Sequence, residues 1–160
     1  SIFSKSYSKI EWLIDLVASI RSTKVDLNVL PGSFIDISTK ELSADKSNII
    51  NNNLDLFKRL GRVSKVMKSD TNKNEVKIIV AGETITLYFD KNIDLSEQRQ
   101  KINLKAKNLG EKIVIINNKL KNKSFLKNAP KQIVEREKRS LKDYNVELKK
   151  LNSILNSIKN

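Results

Sequence analysis

The sequence predicts an α+β fold in two parts. Residues 1–90 are expected to form a small, mostly antiparallel sheet with helices, and residues 91–160 a long antiparallel two-helix coiled-coil hairpin. Two observations carry this prediction. From Asp94 onward, apolar residues recur in steps of three and four, with one interruption around Pro130. Before that point, short apolar segments of strand character alternate with turn residues and with two helical patterns.

The first helix is predicted over residues 5–23, where one face is apolar and comprises Ile10, Leu13, Ile14, Val17 and Ile20. Trp12 lies beside this face and is expected to pack against a neighbouring element. Arg21 and Lys24 follow at the end of the helix, where a cation favours the C-terminus. Contact with phosphate is the alternative role for these two residues, and the sequence leaves both open.

The remainder of the first part combines four strands with one further helix. The helix is expected over residues 49–60 and should stop at Gly61. Ala81-Gly82-Glu83 separates two β-branched segments and predicts a hairpin. The predicted strands cover residues 34–38, 63–67, 76–80 and 84–89.

The second part carries the seam of a coiled coil. In its first helix the seam residues are Leu95, Ile102, Ala106, Leu109, Ile113, Ile116 and Leu120. In its second helix they are Val134, Leu141, Tyr144, Leu148, Leu151, Leu155 and Ile158. Residues 122–130 connect the helices, with Asn128 as the expected cap and Pro130 in the first turn. A connection this short makes the helices antiparallel, and the arm should extend roughly 40–45 Å at ~1.5 Å per residue.

Folding the hairpin about the Phe125–Leu126 region pairs each seam residue with a partner. This register places Lys105 opposite Glu147 and leaves Lys112 and Lys119 without an acidic partner. It also places Ala106 and Gly110 around Tyr144, and we expect these small residues to make room for the tyrosine ring. The alternative is that Gly110 is an exposed position without a packing role.

Positive charge is concentrated in the second part. The chain has a formal charge of +13, of which residues 1–90 contribute +2 and residues 91–160 contribute +11. A polyanion is the natural partner of such a distribution. A genome biased towards Lys, Asn and Ile codons is the alternative explanation, although bias alone would not separate the two halves so sharply.

The candidate nucleic-acid-binding residues lie mainly in the distal half of the arm. They are Lys112, Lys119, Lys121, Lys123, Phe125, Lys127, Lys131, Arg136, Lys138 and Arg139. The cations would meet phosphates without selecting a base sequence. Phe125 would either stack on a base or cover the end of the seam beside Ile133 and Leu120, and the structural role is preferred.

Catalytic and metal-binding patterns are absent from the sequence. The chain has no Cys and no His, which removes the usual zinc ligands and the commonest general base. Its four glycines are not spaced as a phosphate-binding loop. We therefore expect no catalytic residue, no metal site and no cofactor in this chain, and no membrane span.

Residues 119–138 resemble the helical hairpin that ends bacterial valyl-tRNA synthetases. The positions that match the family's pattern are Leu120, Asn122, Phe125, Ala129, Pro130, Val134, Glu137 and Lys138, continued by Leu141, Tyr144 and Leu148. Residues 18–24 and 28–32 also resemble the segment that leaves the family's anticodon-binding helical bundle, although Lys24 and Asp26 stand where arginine and glutamate are commoner. The hairpin at 79–87 fits the family as well.

The resemblance implies that the chain is the C-terminal fragment of a valine–tRNA ligase. Residues 1–90 would then follow the anticodon-binding bundle, and residues 91–160 would be the tRNA-binding arm. The parent enzyme would be a cytoplasmic monomer that joins valine to its tRNA with ATP and magnesium, using an active site upstream. The arm would lean on the outer corner of the tRNA, where the D and T loops meet.

Two other assignments are weighed against this one. The arm could be a coiled-coil protein-interaction module with no RNA role, whose lysines reflect genomic bias. It could also be a basic hairpin of a translation-associated ATPase, but the preceding α+β unit argues against that.

Overall fold

The computed structural model describes residues 2–69, 71 and 74–158, with side chains from Ser8 onward. The last two residues of the predicted arm, 159 and 160, lie outside the described residues. The first part comprises α1 (Ile2–Asp26), β1 (Ile35–Ser38), α2 (Ala44–Asn52), α3 (Leu54–Gly61), β2 (Val63–Met67), β3 (Asn74–Val80) and β4 (Glu83–Phe89). The arm comprises α4 (Ser96–Lys121), α5 (Lys123–Asn128) and α6 (Lys131–Ser157).

The four strands form one sheet in the order β2-β1-β4-β3. The β3–β4 hairpin is antiparallel, as predicted, and the β1–β4 pair is antiparallel too, whereas β1 and β2 are parallel. The parallel pair is possible because α2 and α3 carry the chain back between these two strands. At the hairpin turn, Ala81 and Gly82 both have positive φ, 50° and 81°, which suits a tight two-residue connection.

The helix predicted over residues 49–60 is two helices. Asn53 separates them, with a φ of −127° and a ψ of 30° that lie outside the helical range, and its side-chain amide donates to the Ile49 carbonyl at 2.8 Å. The predicted stop at Gly61 is displaced by one residue. Gly61 is the last residue of α3, and Arg62 after it adopts the left-handed conformation with a φ of 53°.

The buried face of α1 differs from the predicted stripe. Leu13, Val17 and Ile20 are buried as expected, but Ile10 and Ile14 are 57% and 60% exposed and line an apolar groove between α1 and α3. The helix is rotated so that Trp12 and Leu16 enter the core instead. Trp12 packs inside as expected, with the Lys46 ammonium 5.0 Å from its ring centroid.

One hydrophobic core runs from the sheet into the base of the arm. Its buried residues include Ile37, Ile78 and Leu87 of the sheet together with the arm residues Leu95, Ile102, Leu109, Leu151, Ile154 and Ile158. The Ser153 hydroxyl also donates to the Lys77 carbonyl of β3 at 3.0 Å. The arm is therefore anchored through packing.

In the described part of the chain, no helix combines the length and apolar character that crossing a bilayer requires.

Candidate nucleic-acid interface on the helical arm

The tip of the arm contains a short helix that was predicted as a loop. Asn122 caps this helix, because its side-chain oxygen accepts hydrogen bonds from the backbone N–H groups of Ser124 at 2.9 Å and Phe125 at 3.2 Å. Asn128, the predicted cap of the second arm helix, is instead the last residue of α5. Pro130 occupies the N-cap position of α6, immediately before the first turn in which it was expected.

The two long helices pack antiparallel, and two ion pairs between them report the register. Lys105 and Glu147 lie 3.2 Å apart, as the sequence predicted. Lys119 was expected to have no acidic partner, but its ammonium lies 3.4 Å from a Glu137 carboxylate oxygen. Small differences in how far two helices rotate about their axes decide which acid a long lysine reaches, so a one-dimensional pairing scheme misses this contact.

Lys112 was also expected to be free, and it lies over the ring of Tyr144. The ammonium is 5.6 Å from the ring centroid, within the range of a cation–π interaction. Lys112 and Lys119 are therefore held against the arm and are weaker candidates for phosphate contact than the other predicted cations.

Gly110 has no packing role for the tyrosine ring. A Cβ atom built at Gly110 would meet no heavy atom within 4 Å, so the predicted close approach is wrong. We expect Gly110→Ala to stabilise the chain by about 1 kcal/mol, because alanine lowers the entropy cost of the helix. Urea unfolding followed by helical circular dichroism measures the change, with Ala at the exposed Asn108 as a comparison. Destabilisation by Gly110→Ala would contradict this interpretation.

Seven basic residues of the distal half are exposed and form no ion pair with a described carboxylate. We call them the distal basic surface: Lys121, Lys123, Lys127, Lys131, Arg136, Arg139 and Lys142. Lys138 is exposed too, and its contact with Glu135 at 3.6 Å is a solvent-exposed pair of little energetic weight. Six of the ten predicted site residues thus belong to this exposed surface, whose positive charges no described carboxylate neutralises.

On α6 this surface includes a shallow depression. Its walls are formed by Lys131, Gln132, Glu135, Arg136 and Arg139, which share one side of the helix. The single carboxylate among them, Glu135, already contacts Lys138. The depression therefore offers guanidinium and amide donors, which suit phosphate oxygens, on a regular helix that needs no rearrangement.

Phe125 is half-buried and lies outside the buried core, next to the exposed Leu126. Both of its possible roles, covering the end of the seam and stacking on a base, stay predictions.

The base of the arm is held to the first part by a cluster of charges that the sequence did not reveal. Asp26 at the end of α1 contacts Lys105 at 3.4 Å and Lys150 at 3.7 Å, and Lys150 also hydrogen-bonds to Ser22. Burial lowers the pKa of Lys105, but the hydrogen bond to Glu147 and the charge of Asp26 outweigh it and raise the pKa overall. Lys105 and Lys150 of the proximal arm are thus neutralised by Asp26 and Glu147.

Comparison with known proteins gives the family of the chain. A family model described as the valyl tRNA synthetase tRNA binding arm matches residues 94–159. The valine–tRNA ligase of Pelagibacter ubique is 34% identical over 133 residues, 83% of this chain and 15% of that protein. The Buchnera aphidicola (Schizaphis graminum) and Aquifex aeolicus valine–tRNA ligases are 26% and 27% identical over 90% and 96% of the chain.

The chain spans about 15% of the length of these curated relatives. The match of the arm to the family model and the similarity over nearly the whole chain point to the same assignment. The chain belongs to the valyl-tRNA synthetase family, and residues 94–159 are its tRNA-binding arm.

Proposed function

We propose that the distal basic surface holds the outer corner of a valine-specific tRNA while the catalytic part of the ligase joins valine to the tRNA. The observation that carries the proposal is the set of exposed, unpaired cations on a helical hairpin packed onto the first part. Such cations neutralise phosphates and release counterions without reorganising the protein. The contacts would add affinity and would not select a base sequence.

The catalytic chemistry belongs to the rest of the ligase. We infer that the whole enzyme uses ATP and magnesium, acts in the cytoplasm as a monomer, and places its active site outside this chain. In the described residues no group of three or more Asp or Glu side chains is arranged to hold a metal ion. The role of the present chain is to position the tRNA.

The test compares two triple variants of equal net charge. The first variant removes three cations of the distal basic surface by the substitutions Lys127→Gln, Arg136→Gln and Arg139→Gln. The second variant is the control, with the substitutions Lys91→Gln, Lys107→Gln and Lys149→Gln. It removes three exposed lysines outside the distal basic surface that also form no ion pair with a described carboxylate. Binding of a valine tRNA transcript is measured over a series of salt concentrations.

We expect the distal variant to bind at least tenfold more weakly. Its slope of log affinity against log salt should fall by about 2 to 3, since each phosphate contact contributes about 0.7 to 0.9. The control variant should keep most of the affinity and slope.

Equal losses in both variants would mean that only net charge matters, and unchanged binding in the distal variant would contradict the proposal. No binding by the wild-type chain, together with binding of a protein partner at the arm, would favour the interaction-module alternative.

A further inference from the structure

The small net charge of the first part conceals a second basic cluster. Residues 1–90 carry only +2, but residues 56–69 contain five basic residues and no acidic one. The fold then brings two more cations, Arg21 and Lys24 of α1, to the C-terminal end of α3, where this basic segment begins. Arg21 and Lys24 therefore join Arg62, the C-cap residue of α3, at this end of the helix.

Hydrogen bonds define the position of these cations. Arg21 donates to the Leu60 carbonyl from Nε at 3.2 Å and from Nη2 at 2.9 Å. Lys24 Nζ donates to the Gly61 carbonyl at 3.3 Å and to the Ser33 carbonyl at 2.6 Å. These contacts satisfy the free carbonyls at the end of α3. Arg62 follows Gly61 in the chain. Unlike Arg21 and Lys24, it donates no side-chain hydrogen bond to a described residue.

No carboxylate of the described residues neutralises the cluster. In the part of the chain that the structure describes, no ion pair is formed by Arg21, Lys24, Arg59 or Arg62. The nearest acid along α1, Asp26, pairs with the arm lysines Lys105 and Lys150 instead. The pKa of Lys24 is lowered to about 8, first by burial and then by the positive charges of Arg62 and Arg21. The direction of this shift is the one expected for a buried cation that has other cations beside it.

An exposed aromatic ring stands beside the cations. Phe34 is 58% exposed, although the next residue, Ile35, is buried in the sheet. The Arg62 guanidinium carbon lies 5.7 Å from the centroid of the Phe34 ring. The guanidinium lies over the ring, and a ring that is still 58% exposed can stack with an unpaired base while neighbouring phosphates meet the cations.

We propose that Arg59, Arg62 and Phe34, with Arg21 behind them, form a second RNA-binding surface that contacts the same tRNA as the arm. We call it the junction surface. It rests on the proposed function, because it takes the tRNA held by the distal basic surface as its ligand. An unpaired nucleotide and its flanking phosphates are the part of the RNA that this chemistry fits. A protein ligand would need acidic groups to match these cations.

The experiment separates an RNA-binding role from a structural one. Arg59→Gln combined with Arg62→Gln removes two exposed charges and leaves the hydrogen bonds of Arg21 and Lys24 to α3 intact. Lys91→Gln combined with Lys149→Gln is the control of equal net charge. Affinity for a valine tRNA transcript, its salt dependence and the melting temperature are measured for each, and phosphate-ethylation interference locates the contacts.

We expect the junction double variant to lose about 1.4 to 1.8 units of salt slope and one group of interfering phosphates, with an unchanged melting temperature. Phe34→Ala should weaken binding about tenfold with the salt slope kept, and Phe34→Tyr should bind like the wild type. Wild-type affinity and slope in the double variant would overturn the proposal. If the distal triple variant loses affinity while the junction variant does not, only the junction surface is refuted. If neither variant changes tRNA binding, the proposed function fails with it.

Discussion

Leu151→Ala is expected to destabilise the chain by about 2–5 kcal/mol. Leu151 is completely buried on α6, within the cluster that joins the arm to the sheet. Truncation removes the transfer free energy of the side chain and leaves a cavity that the surrounding helices and strands fill only partly. The loss should be seen in the free energy of unfolding by urea.

The same variant tests whether the arm and the first part unfold together. Trp12 is the only tryptophan of the chain and lies in the core of the first part, whereas most of the helical signal comes from the arm. Because the core is continuous, fluorescence and circular dichroism should report one shared transition in the wild type and in Leu151→Ala. Val146→Ala is the matched control, since Val146 lies on the same helix and is 64% exposed. A circular dichroism transition that shifts while the Trp12 transition stays in place would show that the arm unfolds by itself.

The second prediction with a large expected effect is that the free energy of unfolding depends on pH through Lys24. Lys24 is fully buried, and its pKa falls from 10.5 to about 8 because of burial and the charges of Arg62 and Arg21. Between these two values the unfolded chain binds a proton that the folded chain has released. The free energy of unfolding should therefore rise with pH from about 8 to 10.5, by at most about 1.4 kcal/mol per pH unit. Below pH 8 this contribution is lost.

Lys24→Met isolates the effect. The variant also loses the hydrogen bonds to the Ser33 and Gly61 carbonyls, which costs a pH-independent amount of stability. The informative quantity is thus the difference in pH slope between the wild type and Lys24→Met. We expect the variant to lack the rise between pH 8 and 10.5. Parallel curves for the two proteins would show that the charge on Lys24 is not perturbed.

The arm was largely determined by the sequence. The predicted seam residues Ile102, Leu109, Val134 and Leu151 are buried, and the Lys105–Glu147 pair forms where the register placed it. Periodicity of this kind is a local property: a residue spaced three or four positions from its neighbours faces the same side of a helix whatever it packs against. The β3–β4 hairpin was predictable for the same reason, although β3 begins at Asn74 and β4 at Glu83, two residues and one residue before the predicted starts.

Features that depend on two segments distant in sequence were decided only by the tertiary structure. The parallel pairing of β1 with β2 depends on the path of the helices between them, and the burial of Trp12 in place of Ile14 depends on which side of α1 meets the sheet. The partners of Lys112 and Lys119 depend on the rotation of two long helices about their axes.

The junction surface has the same origin. Arg21, Phe34 and Arg62 are far apart in the chain, and net charge summed over residues 1–90 conceals them because acids elsewhere in that segment cancel the total. The five basic residues of 56–69 were a visible signal, but the exposed ring and the two cations of α1 join them only in three dimensions. A sequence reports how much charge a segment carries. Only the fold determines which charges remain unpaired, because an ion pair requires two side chains to come within a few ångströms of each other.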